Sequence, residues 1–399
     1  MKRLPIALCL AAVFGGSAVA RQTHTAHWVA SWATSPVGMK LAQSAAKTTF
    51  RNTIHVSLGG DAIRITLTNE FGSSPLLVKT ASVYTGAGSP GTGSSSHMLT
   101  FGGDSQVLIP AGGTAVSDSV TMKVPALSEV TVSIFLPDQT IEIPTCHEAA
   151  IATNLILSGD QMLGPTSGDS KPYNSWCFLK DLQVQADEKA ATIVAFGDSI
   201  TDGAHATVGA NHRWPDYLAA RLQADPKTSH LSVVNEGIGG NRILFNGHGP
   251  SAAARFDRDV LAQPGVKYVI LLEGINDIDQ TINPDSAEAQ LTVQQLISAA
   301  TQMVERAHAH GIMVYGATLT PNGNRSGVTP HVNELRSAYN QWLRTAGVVD
   351  AVIDFDKAVR DIQQPGNLAP ANDSGDHLHP SDAGYKAMAD AIDLALFQR

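Results

Sequence analysis

The hydrophobic periodicity changes once along the chain, and this change restricts the possible folds more than any other feature. Between about residues 50 and 136 apolar and polar positions alternate. Ile54, Val56 and Leu58 precede Gly59-Gly60-Asp61, and Ile63, Ile65 and Leu67 follow it. A period of two belongs to a half-buried strand, and the Gly-rich break predicts a β-hairpin at this point. Further short runs at 76–84, 106–109, 116–124 and 130–136 are separated by Gly, Ser and Pro clusters such as 86–96. Short strands with turn-rich joints predict an all-β sandwich or jelly-roll-like unit.

After a polar stretch at 158–174 the pattern becomes one of continuous apolar runs, at 192–196, 231–235, 266–272, 312–318 and 348–354. Helical patterns lie between them at 214–224, 286–310 and 331–345, with a last one at 381–397. Apolar strands alternating with helices predict a parallel sheet covered on both faces, an α/β unit. Leu, Val, Ile and Met at helical spacing in 291–304 read as core burial. The expected organisation is a leader at 1–20, a β-rich domain at 21–185 and an α/β domain at 186–399.

The first twenty residues begin Met1-Lys2-Arg3, run apolar from Leu4 to Phe14 and end Ala18-Val19-Ala20. This is the pattern of a secretory signal cleaved before Arg21. The apolar run is too short to span a bilayer. Cys9 sits in the middle of the run rather than at its end, which disfavours a lipid anchor. The expectation is therefore a secreted or periplasmic protein with no membrane anchor. Cleavage would remove two basic residues and no acidic one, taking the formal charge from -9 to -11. An acidic chain is a poor ligand for phosphate backbones, so no nucleic acid partner is expected. Cys146 and Cys177 would be the only cysteines left, and in an oxidising compartment they are expected to pair. Two separate buried thiols are the other reading.

Ligands of parallel sheets bind beyond the carboxyl ends of the strands, so residues just after each strand are where chemistry should be sought. Gly197-Asp198-Ser199-Ile200-Thr201-Asp202 follows the first of these strands. A Ser here can point into the cleft and use its own N–H in an oxyanion hole, although Gly-Asp-Ser is also a common helix-capping turn. Gly237-Ile238-Gly239-Gly240-Asn241 follows the second strand, and its glycines either admit a ligand to the backbone or simply form a loop. Gly274-Ile275-Asn276-Asp277 follows the third, where Asn276 either offers its amide to an oxyanion or forms an Asx turn. Asp376-His377-Leu378-His379-Pro380 precedes the last helix. Its spacing can bring Asp376 to one ring nitrogen of His379 while the other nitrogen meets a Ser. Asp373 and His377 are the competing pair.

These four blocks resemble those of the SGNH hydrolases, the GDSL-type lipase and acylhydrolase family. The matches are Gly197-Asp198-Ser199, Gly240 within Gly239-Gly240-Asn241, Gly274-x-Asn276-Asp277 and Asp376-x-x-His379, in family order over roughly 191–399. The resemblance implies a three-layer α/β/α, flavodoxin-like domain and ester hydrolysis by Ser199 as nucleophile, His379 as base and Asp376 as its orienting partner. It further implies an oxyanion hole built from Ser199, Gly240 and Asn276, with no cofactor and no metal. Trp28 to Thr34 and Asn69-Glu70-Phe71-Gly72 look like the β-domain that precedes the catalytic domain in some extended bacterial members.

The expected substrate is a small-molecule or polysaccharide ester, either a carbohydrate O-acetyl ester or a short-chain acyl ester. The rival reading is a secreted carbohydrate-binding protein with a vestigial hydrolase domain. Trp28 and Trp32 at spacing four read as core or interdomain packing rather than a sugar platform. His308 and His310, two apart on a helix, do not share a face for a metal. Arg242 and His248 either line the pocket or belong to a solvated loop.

Overall fold

The computed structural model describes residues 27–41, 45–87, 96–162 and 170–398. The expected leader and Cys9 lie outside the described residues. The amino-terminal half is antiparallel. One sheet runs in the order Trp28–Ala33, Leu179–Gln185, Gly60–Thr68, Val120–Val124, with Thr114–Val116 also on Gly60–Thr68. A second carries Ser170–Tyr173, Asn154–Ser158, Thr48–Val56, Ser128–Leu136, Thr80–Thr85 and His97–Met98. Their inner faces meet in a core that includes Phe50, Ile63, Ile65, Val132 and Phe178.

The carboxyl-terminal half is a five-stranded parallel sheet in the order Leu231–Gly237, Ala191–Gly197, Val266–Leu272, Met313–Ala317, Ala351–Ile353. Numbered along the chain this is 2-1-3-4-5, the flavodoxin-like order, which puts its switch point beside the first strand. Helix Trp214–Ala224 packs with Asp382–Asp390, and Val293–Ala309 packs with Pro330–Thr345. The sheet is covered by a large apolar core, from Ile193 and Val194 to Val269, Ile270 and Val314. This is the α/β fold the resemblance implies, preceded by a β-sandwich.

Strand Trp28–Ala33 serves both halves. Val29 and Trp32 belong to the sandwich core, while Ala30 and Ala33 belong to the α/β core. A register shift between Ala30 and Trp32 makes this division possible. Trp32 packs edge-on against Trp176 at 5.0 Å, and Arg64 lies 4.7 Å over the Trp28 ring.

Several sequence expectations need correction. The strands flanking Gly59-Gly60 do not form a hairpin, because Thr48–Val56 and Gly60–Thr68 lie in opposite sheets. The connection is captured by the first strand instead: Ser57 N donates to the Ser31 carbonyl at 2.9 Å and Leu58 N to Ser31 Oγ at 2.9 Å. The run at 116–124 splits into two strands where the Asp118 carboxylate accepts from Thr100, Gly102 and Gly103. Part of the polar stretch at 158–174 is itself a strand, Ser170–Tyr173. The helix expected at 286–310 starts only at Val293, where Thr292 and Gln295 form a capping box. The final helix ends at Asp390, and a 3-10 turn capped by Asp393 follows at Leu394–Phe397. Cys146 and Cys177 are disulfide-bonded across paired strands.

Candidate active site

Strand Ala191–Gly197 ends in a turn that admits no side chain at Gly197, where a Cβ would lie 2.5 Å from the Leu272 carbonyl and closer still to Thr201. Asp198 then caps the short helix Ser199–Asp202, its carboxylate accepting from Ile200 N at 2.9 Å. Ser199 is therefore the first residue of a helix at the carboxyl end of a central strand. The loop before helix Asp382–Asp390 brings His379 to it. Ser199 Oγ lies 2.8 Å from His379 Nε2, and His379 Nδ1 lies 2.5 Å from Asp376 Oδ2. A carboxylate only accepts, so Nδ1 carries the proton and Nε2 is left to accept from the Ser199 hydroxyl.

Asp376 is held in place from its other oxygen, which accepts from Leu378 N at 2.9 Å and His379 N at 2.8 Å. Burial alone would raise its pKa, but the bonds from His379 and Leu378 dominate and hold it well below the usual carboxylate range. Burial lowers the His379 pKa, the Asp376 charge opposes this, and nearby His205 and Arg325 add to the lowering. His379 is thus a neutral imidazole at physiological pH, the form a general base needs. The competing pair sits apart, with His377 Nδ1 bonded to Asp373 Oδ2 at 2.5 Å.

The other two blocks follow the strands that flank Ala191–Gly197 on either side. Gly240 has φ +70, and a Cβ there would meet His248 at 2.8 Å. Gly274, at φ +120, caps helix Ile275–Gln280, which carries Asn276. Asn276 Nδ2 donates to the Asn241 carbonyl at 2.9 Å, and the Asp277 carboxylate accepts from Ile243 N and Leu244 N at 2.7 and 3.0 Å. The second and third blocks are therefore one hydrogen-bonded unit. Arg242 is engaged by Glu288 and the Asn246 carbonyl. His248 is exposed and lines a cleft of about 510 Å³ between the two halves, with Phe71, Ile143 and Glu148 on the opposite side.

The family identity of this region rests on sequence. Residues 195–387 match the GDSL-like Lipase/Acylhydrolase family. Residues 195–387 are thus a GDSL-type region, and this match supports a carboxylic ester hydrolase. Solved structures similar to the GDSL-type half include an acetyl xylan esterase from Geobacillus stearothermophilus, at 23% identity over 53% of this chain and 96% of that one, TM-score 0.41. A GDSL-like lipase from Bacteroides thetaiotaomicron VPI-5482 is 19% identical over 54% of this chain and 92% of its own, TM-score 0.39. No curated protein matches the chain.

Some residues of the GDSL-type site carry no local sequence signal. His205 Nε2 lies 3.3 Å from Asp376 Oδ2, its ring 5.2 Å from that of His379. Among the described residues these three make the one set of His and carboxylate groups that converges within 4.8 Å. Arg255 lies beneath the turn, fully buried, and donates to the Gly197 carbonyl at 2.8 Å. It sits at the join of helix Ala252–Phe256 with a π-helical turn, Asp257–Leu261, whose Asp259 is its partner at 3.1 Å. His308 pairs with Asp350 and His310 with the Arg306 carbonyl, so neither approaches the site.

Proposed function

We propose that the chain is an exported serine esterase that hydrolyses carbohydrate O-acetyl esters or short-chain acyl esters. The observation that carries this reading is the continuous hydrogen-bonded line Ser199–His379–Asp376, at 2.8 and 2.5 Å. Ser199 Oγ attacks the ester carbonyl carbon while His379 Nε2 takes its proton. Asp376 keeps the proton of His379 on Nδ1 and stabilises the imidazolium that forms.

The carbonyl oxygen becomes an oxyanion, received by the N–H groups of Ser199 and Gly240 and the amide of Asn276. One amide hydrogen of Asn276 is spent on the Asn241 carbonyl, which orients the group and leaves the second for the oxyanion. Collapse of the intermediate breaks the C–O bond to the alcohol, and His379 returns the proton to the leaving oxygen. Water, activated by the same imidazole, then attacks the acyl-enzyme and releases the acid. No step calls for a metal or organic cofactor.

Export is supported by the charged, apolar and small-residue order of residues 1–20 and by the disulfide. No helix among the described residues is long and apolar enough to cross a membrane. We assign 21–185 to the accessory part and 186–399 to the catalytic part.

Release of acid from acetylated xylan, simple sugar acetates and p-nitrophenyl esters of increasing chain length, with native protein and Ser199→Ala, tests the reading. Hydrolysis abolished by the substitution supports it, and the preferred ester names the substrate class. Unchanged turnover by folded Ser199→Ala would refute it.

A further inference from the structure

The β-rich half reaches the catalytic turn at two buried points, and one residue joins them. His147, next to the disulfide on strand Thr145–His147, lies with Nε2 3.0 Å from Asp202 Oδ1 and Nδ1 2.9 Å from the Ser35 carbonyl. Both partners only accept, so both ring nitrogens donate and His147 is an imidazolium paired with the carboxylate. The pair is shut off from water, with side-chain exposures of 4% and 5%. The ring is stacked on Trp176, whose neighbour Cys177 is bonded to Cys146.

Asp202 is the last residue of the helix that begins with Ser199, and its own N–H donates to the Asp198 carbonyl at 2.9 Å. Its other carboxylate oxygen is 3.8 Å from where a Cβ of Gly239 would stand. Asp202 is therefore part of the nucleophile turn, and its backbone packs so closely on Gly237, just ahead of the loop that carries Gly240, that no side chain fits there.

Ser35 uses its side chain in the same way. Its hydroxyl lies 2.5 Å from Glu236 Oε2 and 2.9 Å from Asp259 Oδ2, and it accepts from Arg255 Nη1 at 2.9 Å. That guanidinium also donates to the carbonyls of Gly197 and Glu236 and to Asn241 Oδ1, at 2.8, 2.8 and 2.9 Å, and faces Glu273 at 3.5 Å. Gly197 is two residues before Ser199, Asn241 directly follows Gly240, and Glu273 is three residues before Asn276. One cation thus fixes the backbone on which the nucleophile and oxyanion donors are mounted.

We propose that Ser35 and His147 are positioning residues for hydrolysis, so that the β-rich half is a fixed part of the catalytic centre, acting through Asp202 on the nucleophile turn and through Arg255 on the oxyanion loops. This inference rests on the serine-esterase reading above. Oxyanion stabilisation depends on donors held at hydrogen-bonding distance from a charge that exists only in the transition state. A small displacement of the turn should therefore lower kcat with little effect on ground-state binding.

The test uses the full mature protein with p-nitrophenyl acetate. His147→Phe keeps the stacking on Trp176 and loses both hydrogen bonds, whereas His147→Gln keeps an amide donor for Asp202. The expected result is a kcat reduced about tenfold or more in His147→Phe with KM within about twofold, and a kcat within about threefold of native in His147→Gln. Ser35→Ala removes only the hydroxyl and leaves the carbonyl that His147 uses. It is expected to lower kcat about fivefold at unchanged KM, and it decides the matter if His147→Phe does not fold.

Native kcat in both His147→Phe and Ser35→Ala would overturn the proposal. So would equal losses in the Phe and Gln variants accompanied by a raised KM, the mark of a general structural role. Failure of the serine-esterase reading is distinct, because native protein and Ser199→Ala would then turn over the ester alike.

Discussion

Nε2 of His205 lies 3.3 Å from Oδ2 of Asp376, the same oxygen that His379 engages at 2.5 Å. Two imidazoles thus share one carboxylate oxygen, and His205 is exposed at the edge of the site. A charge on His205 disfavours a charge on His379, so it helps hold the base below its ordinary value. The acid limb of kcat/KM is predicted to fall with a midpoint below 6.5, the ordinary value for His. In His205→Asn this limb should move towards higher pH, since a group that lowered the His379 pKa is gone. A pH profile of kcat/KM for the two proteins measures the direction of the shift.

Asp376 and Asp373 each bond a histidine, and they make opposite predictions. Asp376→Asn removes the charge that stabilises the His379 imidazolium and is expected to lower kcat by about 10³–10⁴. Asp373→Asn alters only the His377 pair and should leave kcat within about threefold. Steady-state assays of both variants on one ester separate the two carboxylates.

Asn276→Ala removes one donor to the developing oxyanion and its bond to the Asn241 carbonyl. A loss of about 10²–10³ in kcat is expected, with KM little changed. A variant that lost affinity and kept kcat would point to ground-state binding instead.

Three of the four chemical blocks were legible because each follows a strand of a parallel sheet, where polar and Gly-rich residues have no packing reason to cluster, and the fourth because Asp376 and His379 stand three apart just before a helix. The fold class was legible for the same reason, from the shift between a period of two and continuous apolar runs. Pairing partners were not. Nothing near Gly59 distinguishes a hairpin from a crossing between sheets, because the deciding contact is Ser31, more than twenty residues upstream. The roles of Ser35, His147 and Arg255 were hidden likewise: each acts on residues distant in sequence and leaves no local spacing to read. The long helix starts later than 286 because Thr292 caps it, although residues 287–291, Ala-Glu-Ala-Gln-Leu, are all good helix formers.

Asp198 makes a stability prediction. Burial is the main cause that pushes its carboxyl up to about 7, with Asp277 and Asp279 adding to the rise. Its Oδ2 has no hydrogen-bond partner among the described residues. A carboxyl raised in the folded state binds its proton more tightly there than in the unfolded chain. Its contribution to stability is complete below the ordinary value of 3.8 and is lost as pH rises towards 7. Asp198→Asn keeps an oxygen for the Ile200 cap and cannot ionise. Its Tm should therefore fall less than that of the native protein between about pH 4 and 7, as thermal scans across that range would show.

The disulfide closes a sequence separation of 31 residues. In the chain-entropy picture its removal costs roughly 3–4 kcal/mol. Denaturant unfolding of the double variant Cys146→Ala, Cys177→Ala should show this loss. Thiol titration of the denatured, unreduced native protein should find no thiol among the two.

Covalent labelling by an alkyl fluorophosphonate, located by mass spectrometry of the digested protein, tests the central claim most directly. An activated serine is phosphonylated where an ordinary one is not. The account predicts a single adduct on Ser199 that appears in step with loss of esterase activity, and no adduct in Ser199→Ala. Ester hydrolysis that persists after full labelling, or an adduct on another residue that abolishes it, would contradict the account.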